Sequence, residues 1–376
     1  MRRVILVRPR AEGGLLAHVR EEALLLAHAG VRVVDAGEEA LVPKATPNAS
    51  ASSIHHRPLA IASGASPRQA WGARRALREI VREEVEGADG ELLTVHAHGA
   101  RAGAIAALAL TPKLRARVRL VTTLHNRMPR SGFAALIGRA LFTLVSRKSA
   151  LILAVSPDLA VAARARGARR VEGAVIPAPG VALRGERGSG QSDVLEVLCV
   201  ARLAPQKDLA CLCEAARIVE ERYPGALRVK IAGEGPERQN LSSRITAEKL
   251  PVELLGRVED PRALMREADV VVQTSLWEGQ PVALQEAISE GAAVIATDAG
   301  GTRWVTGEEI PLAAPGEARE IAEQLIAVLP TVPGSRARLE RMREASRRRA
   351  EQLPTEGDLL AQLESALFPD TRDEER

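Results

Sequence analysis

Two carboxylates, Glu278 and Glu286, lie in the segment from Thr274 to Gly301, TSLWEGQPVALQEAISEGAAVIATDAGG, with Gly279 and Pro281 turning the chain into an apolar helix. Ionised carboxylates only accept hydrogen bonds, so such a pair suits neighbouring hydroxyls of a sugar or ribose held beside a phosphate. Pro281 is a good first helical residue and Gly279 permits a close approach. Glu278 is therefore expected at the mouth of a strand and Glu286 early in the following helix. Glutamates near a helix start also complement its dipole, and spacing alone leaves both readings open.

Upstream, Val194 to Arg202 (VLEVLCVAR) reads as an apolar strand ending in a cation, with Lys207 five residues on and a helix starting near Asp208. A strand-to-helix turn offers free backbone N–H groups and a positive helix end, so Arg202 and Lys207 there would clamp a diphosphate. A basic pair in a loop is also commonly just solvated. The next turn, Ile231-Ala232-Gly233-Glu234-Gly235-Pro236, runs a strand into a glycine-rich loop. Gly233 and Gly235 would let a flat base or a phosphate approach the backbone.

The elements that must carry these residues alternate. Strand-like runs at Val4 to Val7, Val31 to Val34, Leu92 to Val95, Leu120 to Leu124 and Leu151 to Val155 are separated by helical runs such as Leu15 to His28 and Arg68 to Glu84. Such alternation marks a parallel sheet covered on both faces. A second series begins at Val194, after the glycine-rich stretch Arg184 to Gly190. The 376 residues thus divide into an N-terminal Rossmann-like domain (1–185), a linker (186–193), a second Rossmann-like domain (194–350) and a C-terminal helix (351–376). Thr46 to Ser66, with His55 and His56, reads as a loop. Arg336 to Arg349, with seven arginines in fourteen positions, reads as an exposed helix laced with ion pairs.

Arg202, Lys207, the GEGP turn, Leu255-Gly256-Arg257-Val258, Ala268-Asp269, Glu278 with Glu286, and Gly300-Gly301 occur in the order of one known pattern. Residues 194 to 330 closely resemble the nucleotide-sugar domain of the retaining glycosyltransferases of family 4, which have the α/β GT-B fold of two doubly wound domains facing across a cleft. The N-terminal half resembles that family more loosely, through Gly13-Gly14 after the first strand, VTTLHN ending in His125-Asn126, Val155-Ser156-Pro157 and Val175-Ile176-Pro177. After Gly300-Gly301 the family often carries a glutamate where this chain has Trp304.

The resemblance implies an NDP-sugar co-substrate, no other cofactor, and transfer of a hexosyl group with retention. On that pattern Arg202 and Lys207 would neutralise the diphosphate, Glu286 would hold the ribose and Glu278 the donor sugar. The loop with Val258 would meet the base, Gly13 and Gly14 would close over the phosphate and acceptor, and His125 would lie against the anomeric region. The C-terminal helix would cross back to the first domain. The departing phosphate would take the acceptor's proton. Metal is not expected: His96 and His98 (VHAHG) follow a strand end, but two histidines alone make a poor site, and no Asp-x-Asp pair that would hold Mg2+ on a diphosphate occurs.

Composition narrows the partners. Aromatics are only 2%, which counts against single-stranded nucleic acid, whose binders rely on aromatic stacking. Residues 1 to 180 carry 27 Lys/Arg against 14 Asp/Glu, leaving 25 basic against 34 acidic residues in the remainder. The acidic half is a poor surface for polyanions, whereas the basic half would suit an anionic membrane surface or a lipid-linked phosphate acceptor. A solvated arginine-rich surface explains it equally. Cys199, Cys211 and Cys213 lack zinc-type spacing and read as reduced structural thiols. Met1 to Val7 is basic then apolar, but Arg8 follows too soon for a secretory segment. The expectation is a cytoplasmic enzyme, peripheral at the inner membrane face, acting on a sugar, lipid-linked or small-molecule acceptor. A non-catalytic nucleotide-sugar binder and a sugar-nucleotide epimerase of the same fold are the alternatives.

Overall fold

The computed structural model describes residues 1–10, 14–41, 53–61, 66–88, 90–128, 131–178, 180 and 193–369. The chain divides into two compact units: Met1–Pro177 with the segment from Glu356 onward, and Ala178–Thr355. Two fully parallel sheets, each flanked by helices, form their centres.

In the first unit the strands are β1 (Arg3–Val7), β2 (Arg32–Gly37), β3 (Ile54–Pro58), β4 (Leu93–His98), β5 (Val118–Leu124), β6 (Leu151–Ala154) and β7 (Val171–Gly173). They lie in the order β3-β2-β1-β4-β5-β6-β7. Helices α1 (Gly14–His28), α2 (Pro67–Glu86), α3 (Ala100–Ala109), α4 (Pro112–Arg115), α5 (Gly132–Lys148) and α6 (Pro157–Ala165) fall between the strands. Parallel strands need crossovers, and crossover helices cover both sheet faces, so the central β1 is an unbroken apolar run, Val4 to Val7, at 0% exposure.

Strand periodicity then sorts β4. Val95 and Ala97 join Ile5, Val7, Val34 and Leu120 in a core with Leu77 and Val81 of α2 and Ile105 of α3. Alternation sends Thr94, His96 and His98 to the opposite face, where they are also fully buried.

The second unit holds β8 (Leu195–Val200), β9 (Leu227–Ala232), β10 (Val252–Gly256), β11 (Val270–Gln273), β12 (Ala293–Thr297) and β13 (Leu312–Ala313), ordered β10-β9-β8-β11-β12-β13. Its helices are α7 (Leu209–Arg222), α8 (Arg238–Glu248), α9 (Pro261–Glu267), α10 (Val282–Ser289), α11 (Thr302–Thr306), α12 (Ala318–Ile326) and α13 (Ser335–Ala350). Val197 and Cys199 pack with Leu212 and Ala216 of α7 on one face, and Leu198 and Val271 with Leu284 and Ile288 of α10 on the other. Each such buried Leu or Ile contributes about 1.5–3 kcal/mol relative to exposure, which seats the helices that carry the site.

The last helix, α14 (Glu356–Leu367), belongs to the first unit. It packs against α1 and takes hydrogen bonds from Thr94 Oγ1 to Leu367 O (2.6 Å) and from Arg119 Nε to Ala366 O (3.0 Å).

Three local expectations are corrected. His55 and His56 lie in strand β3, not in a loop. This edge strand is polar because pairing to β2 and a contact from His56 Nδ1 to the buried Asp35 Oδ2 (3.0 Å) hold it, rather than apolar burial. Pro281 occupies the N-cap position of α10, so the helix begins at Val282. Finally, α13 carries an ion pair of the expected kind, Arg347 with Glu340, yet it is docked, not free: Arg348 pairs with Glu309 outside the helix, Ala345 and Ala350 are buried, and Arg349 donates to the carbonyls of Trp304 and Val305. Gly13 and all of the linker 186–193 except Asp193 lie outside the described residues.

Candidate functional site

Strand order reverses in each unit at its first strand, between β1 and β4 and between β8 and β11. In open α/β sheets such a switch point, at the carboxyl ends of the strands, is where the flanking loops part and ligands are received. Arg202, Lys207 and Glu278 lie on the loops after β8 and β11, whereas Gly233 and Gly235 follow β9, Val258 follows β10 and His125 follows β5.

In the second unit, β8 ends at Val200 and the chain turns through Arg202 and a 3-10 turn, Pro205–Lys207, to Asp208, the N-cap of α7. Asp208 has φ +46°, a left-handed conformation uncommon for a residue with a side chain. The neighbouring loop after β11 supports that turn. Thr274 Oγ1 donates to the carbonyls of Lys207 and Asp208 (both 3.1 Å), Gln206 Nε2 donates to Trp277 O (2.7 Å), and Leu276 N to Gln206 O (2.9 Å).

Lacing the loops together brings Lys207 Nζ onto Glu278 Oε1 as an ion pair, and Ser275 Oγ donates to the same oxygen (2.5 Å). Glu278 is buried, and its backbone is pinned by bonds from its N–H to Ala299 O (3.3 Å) and from Gly301 N–H to its carbonyl (3.0 Å). Gly300 makes this approach feasible: at φ +64°, a Cβ there would stand 2.2 Å from the Glu278 carbonyl oxygen. Arg202 is exposed and, among the described residues, forms no ion pair. The turn after β8 thus carries an exposed guanidinium and an ammonium already paired with a carboxylate.

Glu286 sits in the second turn of α10, half-buried. Burial pushes its carboxyl pKa up; Arg262 opposes the shift, while Glu290 and Asp260 add to it. Arg262 is engaged elsewhere, donating to the fully buried Glu290 at 2.6 Å. Val258 is half-buried against the core that α10 completes, and Asp260 caps α9 through Ala263 N (3.1 Å). Gly233 and Gly235 have a packing reason of their own. A Cβ on Gly233 would lie 1.9 Å from Ala201 O, and one on Gly235 2.3 Å from Leu203 O, so these glycines let the turn after β9 touch the turn that carries Arg202.

In the first unit, Gly14 opens α1 with free space around it. His125 follows β5 directly, partly exposed, with Nε2 3.3 Å from His98 Nδ1. Burial, then His98 and His18, lower its pKa well below the usual imidazole value. Behind it lie Glu22 and His18, which sequence reasoning missed, against His96 and His98, which it named only as a poor metal pair. Glu22 of α1 is 1% exposed and is met by His18 Nε2 at 2.8 Å, His98 Nε2 at 3.2 Å and His96 Nδ1 at 3.5 Å.

Burial opposes the Glu22 carboxylate, but His98, His18 and His96 outweigh it and hold its pKa well below the ordinary range. Burial pulls the His96 pKa down to about 3, with Glu22 opposing and His98 and His18 adding to the fall. A buried polar atom without a partner costs about 1–3 kcal/mol, so this cluster is an expensive arrangement for a merely structural corner. A sequence signal existed: His18 and Glu22 stand at i and i+4 on one helix face.

The two parallel-sheet units match the GT-B class of glycosyltransferase folds. HepE from Anabaena, solved with UDP, matches with a TM-score of 0.75 over 98% of this chain and 99% of that one, at 20% identity, a likeness of fold. The profile of Glycosyltransferase Family 4 matches residues 12–179 and that of Glycosyl transferases group 1 residues 195–330. The chain belongs to glycosyltransferase family 4. It is 31% identical over 165 residues to the amylovoran biosynthesis glycosyltransferase AmsK of Erwinia amylovora, covering 39% of this chain and 40% of that one. It is 33% identical over 115 residues to the UDP-Gal:alpha-D-GlcNAc-diphosphoundecaprenol alpha-1,3-galactosyltransferase of Escherichia coli, covering 29% and 30%. The matched stretches thus span less than half the length of these curated relatives.

Proposed function

We propose that this protein transfers a hexosyl group from an NDP-sugar, with retention, to a lipid-linked or small-molecule acceptor. The supporting observation is the pairing of Lys207 with Glu278 at the switch point beside the exposed Arg202. An entering diphosphate competes for Lys207 and Arg202, which neutralise it without a metal ion, and frees Glu278 to accept hydrogen bonds from sugar hydroxyls. Glu286 accepts from the ribose.

The acceptor oxygen bonds to the anomeric carbon on the face from which the nucleoside diphosphate departs. The carbon–oxygen bond to phosphate breaks, and the acceptor's proton passes to the leaving phosphate, so no protein base is consumed. Charge grows on that phosphate in the transition state, where Arg202 and Lys207 act most strongly. His125 orients the sugar. Uridine is the favoured base, because HepE binds UDP and the Escherichia coli relative is named for UDP-Gal. That relative's diphosphoundecaprenol acceptor supports a lipid-linked acceptor here.

No helix among the described residues is long and apolar enough to cross a membrane. The excess of Lys/Arg in residues 1 to 180 supports contact with an anionic membrane surface, and three free, buried cysteines fit a reducing cytoplasm.

A thermal-shift series with UDP, GDP, ADP and TDP and their sugars tests the donor site. UDP or a UDP-sugar is expected to raise the melting temperature of the wild type but not of Arg202→Ala or Glu286→Ala. No shift with any nucleotide at millimolar concentration would refute the donor site. Binding without release of UDP in the presence of acceptors would turn the reading into that of a non-catalytic binder.

A further inference from the structure

We propose that Glu22, His96 and His98 form a binding site for a divalent transition-metal ion, Zn2+ fitting best, inside the first unit. Nothing in the donor reading uses this cluster, and the proposal stands or falls without it.

Each of the three side chains has one atom engaged and one left over. Glu22 Oε1 meets His18 Nε2 at 2.8 Å, His96 Nε2 meets Thr123 Oγ1 at 2.7 Å, and His98 Nδ1 meets His125 Nε2 at 3.3 Å. The remaining atoms, Glu22 Oε2, His96 Nδ1 and His98 Nε2, are buried and make no hydrogen bond. All three residues are at most 1% exposed, and their candidate ligand atoms lie within 4.8 Å of one another. The carboxylate oxygen stands 3.2 Å from one imidazole nitrogen and 3.5 Å from the other. Ligand atoms at about 2.0–2.2 Å from a tetrahedral Zn2+ are roughly 3.4 Å apart. Both spacings from the carboxylate oxygen are those of ligands around an ion.

One ion also assigns every proton in the cluster. With Nε2 on the metal, His98 carries its hydrogen on Nδ1 and donates to His125 Nε2. With Nδ1 on the metal, His96 donates from Nε2 to Thr123 Oγ1. Glu22 Oε1 accepts from His18 Nε2–H. These are the outer contacts that ordinarily orient metal-bound imidazole and carboxylate. The donor set of two imidazoles and a carboxylate suits Zn2+ over Mg2+ or Ca2+, and three protein ligands leave a fourth position for water or another oxygen. By fixing the His98 tautomer the ion fixes which nitrogen of His125 is the acceptor, so it acts on His125 through His98.

Metal analysis of the purified full chain, before and after chelation, is the first test, followed by titration with Zn2+ alone and with Co2+ alone. The expected result is one ion per chain, a melting temperature higher by about 5 °C or more with excess Zn2+, and the visible absorption of tetrahedral Co2+. Glu22→Gln and His98→Gln, checked for folding by circular dichroism, should abolish the Co2+ spectrum. Thr123→Val keeps all three ligands and should weaken Zn2+ binding by about 10–100-fold. Absence of stoichiometric binding to the folded wild type, or unchanged binding in the folded Glu22→Gln and His98→Gln proteins, would overturn the proposal and leave a network of imidazoles sharing protons around one carboxylate.

Discussion

The two units solve the same topological problem with opposite chemistry. Both sheets reverse order beside their first strand, and both gather polar side chains there. In the second unit the groups are a cation and an anion paired at the end of laced loops, with a further guanidinium left exposed. In the first unit the groups are imidazoles sunk against a carboxylate on one face of β4. The difference follows from what each place has for neighbours. The loops after β8 and β11 reach past the sheet, where Arg202 and Lys207 keep contact with water, whereas β4 is central and covered, where imidazoles are tolerated because they can be neutral. On the proposed function, one site exchanges partners with an anion, and the other holds what it has.

Removing charge should separate the two most sharply. Lys207→Ala is expected to lower kcat/KM for sugar transfer by roughly 10²–10³-fold, because a fixed positive group is lost where negative charge develops. It should also destabilise the fold by about 1–3 kcal/mol, since Glu278 then keeps a buried charge whose remaining side-chain partner is Ser275. Arg202→Ala should lose activity on a similar scale while changing stability by less than about 0.5 kcal/mol, as expected for an exposed side chain. Kinetics and urea denaturation of both variants would check this. Equal stability losses would mean that Lys207 and Arg202 do not differ in the way their surroundings require.

Backbone substitutions probe the same contrast more gently. Gly233→Ala forces a Cβ against Ala201 O at φ +147° and should cost about 3 kcal/mol, whereas Gly14→Ala enters open space at a helix start and should be neutral within about 0.5 kcal/mol. Denaturation midpoints read both. A tolerated Gly233→Ala would show that the turns after β8 and β9 are looser than their contact implies.

What could be read from sequence follows this division. Lys207 and Glu278 were legible because each stands at a short fixed offset from an apolar strand, so the strand pattern alone carries them to the switch point. Their direct pairing was not, since it depends on Thr274 and Gln206 tying one loop to the other. Glu22 left only its i,i+4 spacing from His18 as a signal, for a stronger reason. A glutamate on a helix ordinarily faces water, and its burial appears only when sheet order sets β4 beside β1 and so brings His96 and His98 to α1. Strand β3 was hidden likewise, because IHHRP owes its place to the edge of β2 and to Asp35 and not to an apolar pattern.

Two glutamates carry the comparison into pH. Glu22 is the more deeply buried, yet its pKa falls because imidazoles surround it; Glu286 is less buried, yet its pKa rises, because burial outweighs Arg262. For Glu286 the native state holds its proton more tightly than the unfolded chain does. Its contribution favours folding below the unfolded value of 4.5 and is lost as pH rises through the raised native pKa, above which a half-buried carboxylate is a net burden. Glu286→Gln removes that burden, so its melting temperature should exceed the wild type's by about 1–2 °C at pH 7 and match it at low pH, where both side chains are neutral. Nucleotide affinity should move the other way: a ribose hydroxyl donates best to the ionised form, so wild-type binding strengthens as pH rises through the same window while Glu286→Gln binds weakly and without that dependence. A variant that matched the wild type in stability at pH 7 yet lost nucleotide binding would keep the ribose role and remove the burial argument. One that was more stable and bound nucleotide unchanged would keep the burial argument and remove the ribose role.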